Sequence, residues 1–269
     1  MLSLFQNVLK QRFLLGRFVR TDVVGRYKAS FLGVFWMILN PLILFGLYVF
    51  VFSVILKVRF PEHGGIFFYS LNLFCGLIAW NAFAEGLTRS SSAIVNHSNL
   101  LKRTLFPTEI LGLSMAMSSI VRFLVELVLF IIILFFLGYR ITWAFCWLPF
   151  LILLQLLFTI SLCWIFSVIG VIVKDMAQLI GPMMTAWFFL TPVVYPESMA
   201  LVTSKWGFLA TLIHLNPMAK FVSTYRGILL FGYFDFTPAM IYLITFVLGL
   251  FLSSAWFFSR MKSELVENL

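Results

Sequence analysis

Charged residues are scarce in this chain. Asp, Glu, Lys and Arg together make up 11% of its 269 residues, whereas 62% are hydrophobic. A soluble domain has roughly one quarter charged residues, so this composition excludes an ordinary soluble protein. With a mean hydropathy of +1.05, the sequence predicts an all-α, polytopic membrane protein.

Motifs for catalysis and for nucleotide binding are absent from the sequence. Its ten acidic residues are scattered, with no DxD, ExxH or HExxH motif and no carboxylates paired beside a nucleophile. Metal-dependent or acid–base transfer chemistry needs such a constellation, and ATP binding of the P-loop kind needs a Gly-rich phosphate loop. We therefore expect a transport subunit with no catalytic residues, no metal site and no bound cofactor.

Only three cysteines occur, and none belongs to a CxxC motif. Cys75, Cys146 and Cys163 lie in or beside apolar runs. An odd number in such surroundings argues against a disulfide framework or a metal centre. We interpret all three as packing residues.

Long runs without an ionisable side chain are the dominant positive feature. Five such runs, and a sixth interrupted by Arg122 and Glu126, each approach or exceed the ~20 residues that cross a ~30 Å hydrocarbon core. We predict six transmembrane helices, at about 31–56, 64–86, 109–137, 147–173, 176–195 and 236–259. They form one membrane domain over 31–262, preceded by an amphipathic interface segment at 1–30 and followed by a tail at 263–269.

The basic residues are distributed unevenly between the two sides of this topology. With six spans, both termini share a side that receives twelve of the 19 Lys and Arg residues, against six on the other side. The positive-inside rule places both termini in the cytoplasm. The net charge of +9 is thus a topology signal and an attraction to membrane lipid. Its spread over membrane boundaries argues against nucleic-acid binding.

Within the N-terminal interface segment 1–30, residues 2–20 have the pattern of a helix lying in the headgroup region. It serves either as a basic anchor for the first span or as a contact for a cytoplasmic partner. At its end, Arg26, Tyr27 and Lys28 are suited to hold the phosphates of a lipid headgroup. A plain positive-inside anchor is the alternative.

Between the second and third spans, residues 96–107 combine basic and apolar side chains. This pattern predicts a short amphipathic helix that docks on a partner. A simple turn needs only two to eight residues, so an ordinary loop explains the length less well. The residues expected to make the contact are Asn99, Leu100, Leu101, Lys102, Arg103 and Phe106.

Arg122 and Glu126 fall near the middle of the third span. An unpaired charge there costs on the order of 3 kcal/mol, and four-residue spacing lets the two side chains neutralise each other on one helix face. We predict an intramembrane ion pair, with direct contact to a substrate as the alternative. Farther on, at 197–235, polar residues interrupt the apolar pattern, which predicts re-entrant half-helices before the last span.

Aromatic residues make up 18% of the chain. Their rings could stack on sugar faces along a channel, and the candidates are Trp36, Trp80, Trp187 and Tyr195. Aromatic belts at the membrane interface explain the same residues equally well.

Five motifs in order resemble one family over nearly the whole chain. They lie at 18–41, 99–111, 174–175, 191–196 and 216–218, and they are similar to motifs of the type-2 ABC-exporter permeases of bacterial polysaccharides, in the O-antigen and teichoic-acid branch. The resemblance implies a homodimer of six-span subunits in the bacterial cytoplasmic (inner) membrane. Two copies of a separate ATPase would bind ATP and Mg, and the channel would carry an undecaprenyl-pyrophosphate-linked glycan.

The same resemblance implies an interface helix at the N-terminus, a coupling helix between spans two and three, and re-entrant helices before span six. O antigen is the expected cargo. Teichoic acid and capsular polysaccharide are alternatives, although the capsule branch usually carries Glu-Pro where this chain has Asn40-Pro41. A membrane-embedded enzyme of glycan assembly is the alternative from another class.

Overall fold

A computed structural model describes residues 10–28, 30–57, 67–98, 107–195 and 207–267. This part of the chain is helical and contains no strand, which confirms the predicted all-α class. Its nine α-helices are α1 (Arg12–Gly25), α2 (Trp36–Tyr48), α3 (Phe68–Asn96), α4 (Glu109–Phe136), α5 (Leu148–Ile172), α6 (Met176–Leu190), α7 (Gly207–Leu215), α8 (Pro217–Arg226) and α9 (Pro238–Glu267).

Short stretches of other helix types extend three of these elements. 3₁₀ turns precede α2 and α5, at Gly33–Phe35 and Trp143–Trp147. π-helical turns follow α2 and α8, at Val49–Ile55 and Gly227–Phe231.

Four helical segments are long and apolar enough to cross a membrane. They are Gly33–Ile55, Glu109–Phe136, Trp143–Ile172 and Pro238–Lys262, and they support a multi-pass membrane protein. Helix α3 has 29 residues but more polar side chains, and α6 has 15, fewer than the ~20 of an untilted span. The count of six spans therefore stays a prediction.

Helix α3 is the centre of the bundle. It packs against α4, α5, α6 and α8, and 20 of its 29 residues are buried. A helix enclosed by other helices has no need of a lipid-facing apolar stripe, which allows α3 a larger share of polar residues than α4 or α5.

Small residues let the helices around α3 approach closely, as is usual where helices pack in membranes. A Cβ at Gly86 would lie 2.9 Å from a side-chain carbon of Thr159 and 3.0 Å from the hydroxyl of Ser119. At Gly170 of α5 a Cβ would lie 1.7 Å from the backbone oxygen of Ser91. Helices α3 and α5 thus meet backbone to backbone.

Helices α2 and α6 are attached more loosely. Within Gly33–Ile55, only 11% of the most apolar 18-residue stretch is buried inside the protein. Large apolar side chains on both helices are exposed, including Ile43, Leu47, Leu179 and Met183. These faces are free to contact lipid or another polypeptide.

After α6 the chain forms two short helices joined at Asn216. The Asn216 side chain caps α8 by accepting the amide of Met218 at 3.0 Å. It also accepts the indole N–H of Trp187 at 3.0 Å and donates to the hydroxyl of Thr191 at 2.8 Å. Helices α7 and α8 have nine and ten residues, too few to span a bilayer. Whether they enter the membrane as re-entrant helices stays a prediction.

We predict that Gly170→Ala destabilises the bundle by about 3 kcal/mol or more, because the added methyl group would overlap the backbone of Ser91 and overpacking forces the helices apart. Thermal unfolding of the detergent-purified protein measures the effect. Gly249→Ala on α9 is the matched control, since a Cβ there would contact nothing within 4 Å. Equal unfolding temperatures for the two variants would contradict the close approach of α3 and α5.

Candidate functional site

Six charged side chains converge where α1, α3 and α4 meet. We call them the ion-pair cluster, and they are Asp22, Arg26, Glu85, Arg89, Arg122 and Glu126. Three carboxylates face three guanidinium groups, so the cluster is neutral as a whole. It joins the interface segment to the central bundle.

Glu85 is the hub of the cluster. Its carboxylate accepts a hydrogen bond from Arg26 and another from Arg122 at 3.0 Å, and a nitrogen of Arg89 lies 3.7 Å away. Asp22 forms the second node, since it accepts from Arg89 at 2.6 Å and from Arg26 at 3.0 Å. Charge-assisted bonds of this kind are among the strongest hydrogen bonds in proteins.

The predicted pair of Arg122 and Glu126 lies at the inner end of the cluster. Arg122 donates its Nε–H to Glu126 at 2.9 Å, and the Glu126 side chain is 5% exposed. Sequence spacing indicated this contact, because residues four apart share a helix face. It did not indicate that Arg122 also reaches Glu85 on another helix.

A cleft of about 470 Å³ opens beside the cluster, between α1 and the end of α3. Its walls include Asp22, Arg89, Asn96 and His97. The His97 ring lies edge-on to Phe18 of α1, with ring centroids 6.2 Å apart. The cleft therefore connects the ion-pair cluster to the beginning of the predicted coupling segment, 96–107.

The contact residues of that segment lie outside the described residues. They are Asn99, Leu100, Leu101, Lys102, Arg103 and Phe106. The structure describes the chain again from Pro107, two residues before Glu109.

Glu109 anchors this second flank. Its side chain is fully buried and lies 2.9 Å from the Nζ of Lys262 on α9. Its backbone oxygen accepts the indole N–H of Trp164 at 3.2 Å. The segment 96–107 is thus held at one end beside α1 and at the other end by α5 and α9.

The structure separates the members of the predicted headgroup triplet. Arg26 belongs to the ion-pair cluster, Tyr27 is half-buried and Lys28 is exposed. Binding of a lipid headgroup by these three residues stays a prediction.

Two of the four candidate channel aromatics contact each other. Trp80 and Trp187 pack edge to face with ring centroids 6.5 Å apart, and Trp80 is 4% exposed. Trp36 donates to the hydroxyl of Ser30 at 2.8 Å. Tyr195 donates to the backbone oxygen of Phe189 at 2.7 Å. In this conformation Trp80 offers little surface to a passing sugar.

Sequence reasoning missed the role of Arg226. The residue is 6% exposed, and its guanidinium donates to the backbone oxygens of Asn72, Pro192 and Val193 at 3.2, 2.7 and 2.6 Å. Pro192 follows the end of α6, where carbonyl groups have no partner within the helix. The sequence signal was Pro192 just after the predicted apolar helix, because the carbonyl groups at such a helix end need a hydrogen-bond donor from elsewhere in the protein.

Comparison with known proteins identifies the family of the chain. The sequence profile of the ABC-2 type transporter family matches residues 15–230. The chain belongs to the ABC-2 type transporter family. This ABC-2 type transporter is 30% identical over 270 aligned positions to the O-antigen export system permease protein RfbA of Myxococcus xanthus, with 100% of both chains covered. It is 28% identical to a protein of the same name from Klebsiella pneumoniae, with 92% of each chain covered.

Among the described residues of this ABC-2 type transporter, no group of three or more His, Cys, Asp or Glu side chains is placed to hold a metal ion. The charged groups of the ion-pair cluster pair within α4 and between α1, α3 and α4.

We predict that Glu85→Gln lowers the free energy of unfolding by about 1–2 kcal/mol, because three partly exposed guanidinium groups lose their shared carboxylate and solvent compensates their charge only in part. Chemical or thermal unfolding in detergent measures the loss. Asp235→Asn removes an exposed carboxylate outside the cluster and serves as the control. The double variant Glu85→Gln/Arg26→Gln, which restores neutrality, should recover part of the stability. No difference between the single variant and the control would refute the role of Glu85 as the hub.

Proposed function

We propose that this protein is the membrane-spanning permease subunit of an ATP-driven exporter that moves a lipid-linked polysaccharide, most specifically O antigen, across the bacterial cytoplasmic membrane. The observation that carries the proposal is the end-to-end similarity to an O-antigen export permease, which covers 100% of both chains. The sequence has no P-loop, so the proposal assigns ATP and Mg to two copies of a separate ATPase subunit.

The proposed assembly is a homodimer with six spans in each copy and all termini in the cytoplasm. The exposed apolar faces of α2 and α6 support it, since both helices make few contacts within one copy. A cargo path between the two copies would lie along these helices. Trp36, Trp80, Trp187 and Tyr195 are the proposed sugar-stacking residues, with Trp80 reached only after the helices move.

In the proposed mechanism, ATP-driven closure of the partner pushes on residues 99–106. The flanks of this segment support a direct transfer of force, because each is fixed to a different part of the bundle. On one side, His97 packs on α1, which the ion-pair cluster fixes to α3 and α4. On the other side, Glu109 is paired with Lys262.

We predict that Lys102→Glu/Arg103→Glu abolishes export while the permease remains inserted, since reversed charges would repel a partner surface that fits basic residues. Surface glycan on cells and ATPase activity of the reconstituted complex measure the effect. Lys57→Glu/Arg59→Glu, on the opposite side of the proposed topology, provides the matched control. Normal surface glycan in the Lys102/Arg103 variant would contradict the proposed coupling.

The purified permease also separates this proposal from its rival, an enzyme of glycan assembly. A transport subunit turns over no sugar nucleotide on its own. Turnover by the isolated chain without an ATPase would establish the enzyme and overturn the exporter.

A further inference from the structure

Helix α6 has two residues in its interior that weaken a helix, Gly181 and Pro182. Glycine loses more conformational freedom than alanine when a helix forms, and proline lacks the amide that would bond to the carbonyl one turn earlier. Both residues are exposed, and no described residue lies within 4 Å of a Cβ placed at Gly181. Packing within one copy therefore does not require a glycine at this position. Sharp bends in helices occur at residues of these types.

The segment that follows α6 is fixed to other helices. Backbone oxygens within 190–194 accept hydrogen bonds from three side chains, which are Asn216 at 3.2 Å, Arg226 at 2.7 and 2.6 Å, and Tyr69 at 2.9 Å. Arg226 also donates to a backbone oxygen of α3, and the Trp187 indole near the end of α6 donates to Asn216 at 3.0 Å. We call these contacts the carbonyl clamp. They fix the second half of α6 to α3 and α8.

The first half of α6, residues 176–180, is held by packing. Met176, Ile180 and Met184 are the buried residues of α6, and their four-residue spacing places them on one face of the helix. Two of the three are methionines, whose flexible side chains adapt to irregular surroundings. The first half can therefore change its angle to the bundle without breaking a hydrogen bond of the carbonyl clamp.

We propose that Gly181 and Pro182 form a hinge in α6, at which the first half bends while the clamped second half stays in place. The inference rests on the proposed function, because the force that bends the helix would come from the partner ATPase at the cytoplasmic face. The six-span topology places the turn 173–175, which leads directly into the first half, on that face. A hinge takes up the displacement in a few backbone torsions, so the contacts of Trp187 and of the carbonyl clamp are retained.

The first test replaces both hinge residues, in the variant Gly181→Ala/Pro182→Ala. Alanine favours a helix more than glycine or proline does, so this variant should unfold at the same temperature as the wild type or at a higher one. Export of glycan by the permease with its ATPase should nevertheless fall about 10-fold, because substitutions within a two-state element change coupling on this scale. Unchanged export, or reduced export together with a lower unfolding temperature, would overturn the hinge.

Gly249→Ala on α9 is the matched control for the added methyl group. Gly249 is exposed like Gly181, and no described residue lies within 4 Å of a Cβ placed there. Its export should equal that of the wild type. The oligomeric state of both variants is measured as well, because an open glycine also permits close packing of a second helix. Loss of the dimer in the hinge variant alone would identify a packing site and overturn the hinge.

Spin labels report the bending directly. In a Cys146→Ser background, which removes the exposed cysteine, one label is placed at Leu153 of α5. The second label is placed at Gln178 or at Thr185 of α6, and all three positions are exposed. Distances within one copy are measured with and without ATP trapped on the ATPase, in complexes diluted with unlabelled permease.

A hinge changes the distance to Gln178 and leaves the distance to Thr185 nearly constant. The change at Gln178 should disappear in the Gly181→Ala/Pro182→Ala variant. A straight helix that tilts about the carbonyl clamp would move Thr185 about half as far as Gln178, because displacement grows with the ~1.5 Å rise of each residue from the clamp. That result would overturn the hinge, and so would constant distances at both labels in the wild type.

Export by the wild-type complex separates this inference from the proposed function. A complex that bends at α6 and exports no glycan would reject the exporter and keep the hinge. Export by a complex whose α6 stays straight would keep the exporter and reject the hinge.

Discussion

The compensation of charge close to hydrocarbon is the constraint on which the structure depends. A carboxylate or guanidinium left unpaired there is costly. The chain avoids unpaired charges because single carboxylates form ion pairs with several arginines. Glu85 serves three arginines and Asp22 serves two of the same three. The paired residues come from α1, α3 and α4. The ion pairs that neutralise these charges therefore also fix α1 to the central helices.

The close contacts of α3 complement this cluster. Gly86 and Gly170 bring α4 and α5 within backbone reach of α3, and hydrocarbon solvent offers no hydrophobic drive for such packing. The central helices therefore associate through shape and buried polar contacts. The same physics explains Arg226, whose donors are taken up by backbone oxygens of α3 and of the segment after α6.

The helices and the contacts within one helix were predictable from the sequence. The contacts between different helices were not. Apolar runs identify helices because hydrocarbon demands internally bonded backbone, and the Arg122–Glu126 pair follows from spacing on one helix. The contacts of Glu85 with Arg26 and Arg122 join residues 59 and 37 positions apart. They depend on the rotation of each helix about its axis, which one sequence does not reveal. The pairing of Arg26 with Asp22 and Glu85 was unpredictable for the same reason.

The distribution of packing also limits how a force at 96–107 could travel. Both flanks of the segment are anchored to the well-packed helices, through α1 and the ion-pair cluster on one side and through the Glu109–Lys262 pair on the other. Tightly packed interiors transmit strain, so both described flanks connect directly to the packed helices. Helices α2 and α6 have large exposed apolar faces. Sliding of α2 against the central bundle would break neither an ion pair of the cluster nor the backbone contact of α3 with α5, whereas α6 is tied to the start of α8 by the hydrogen bond of Trp187 to Asn216.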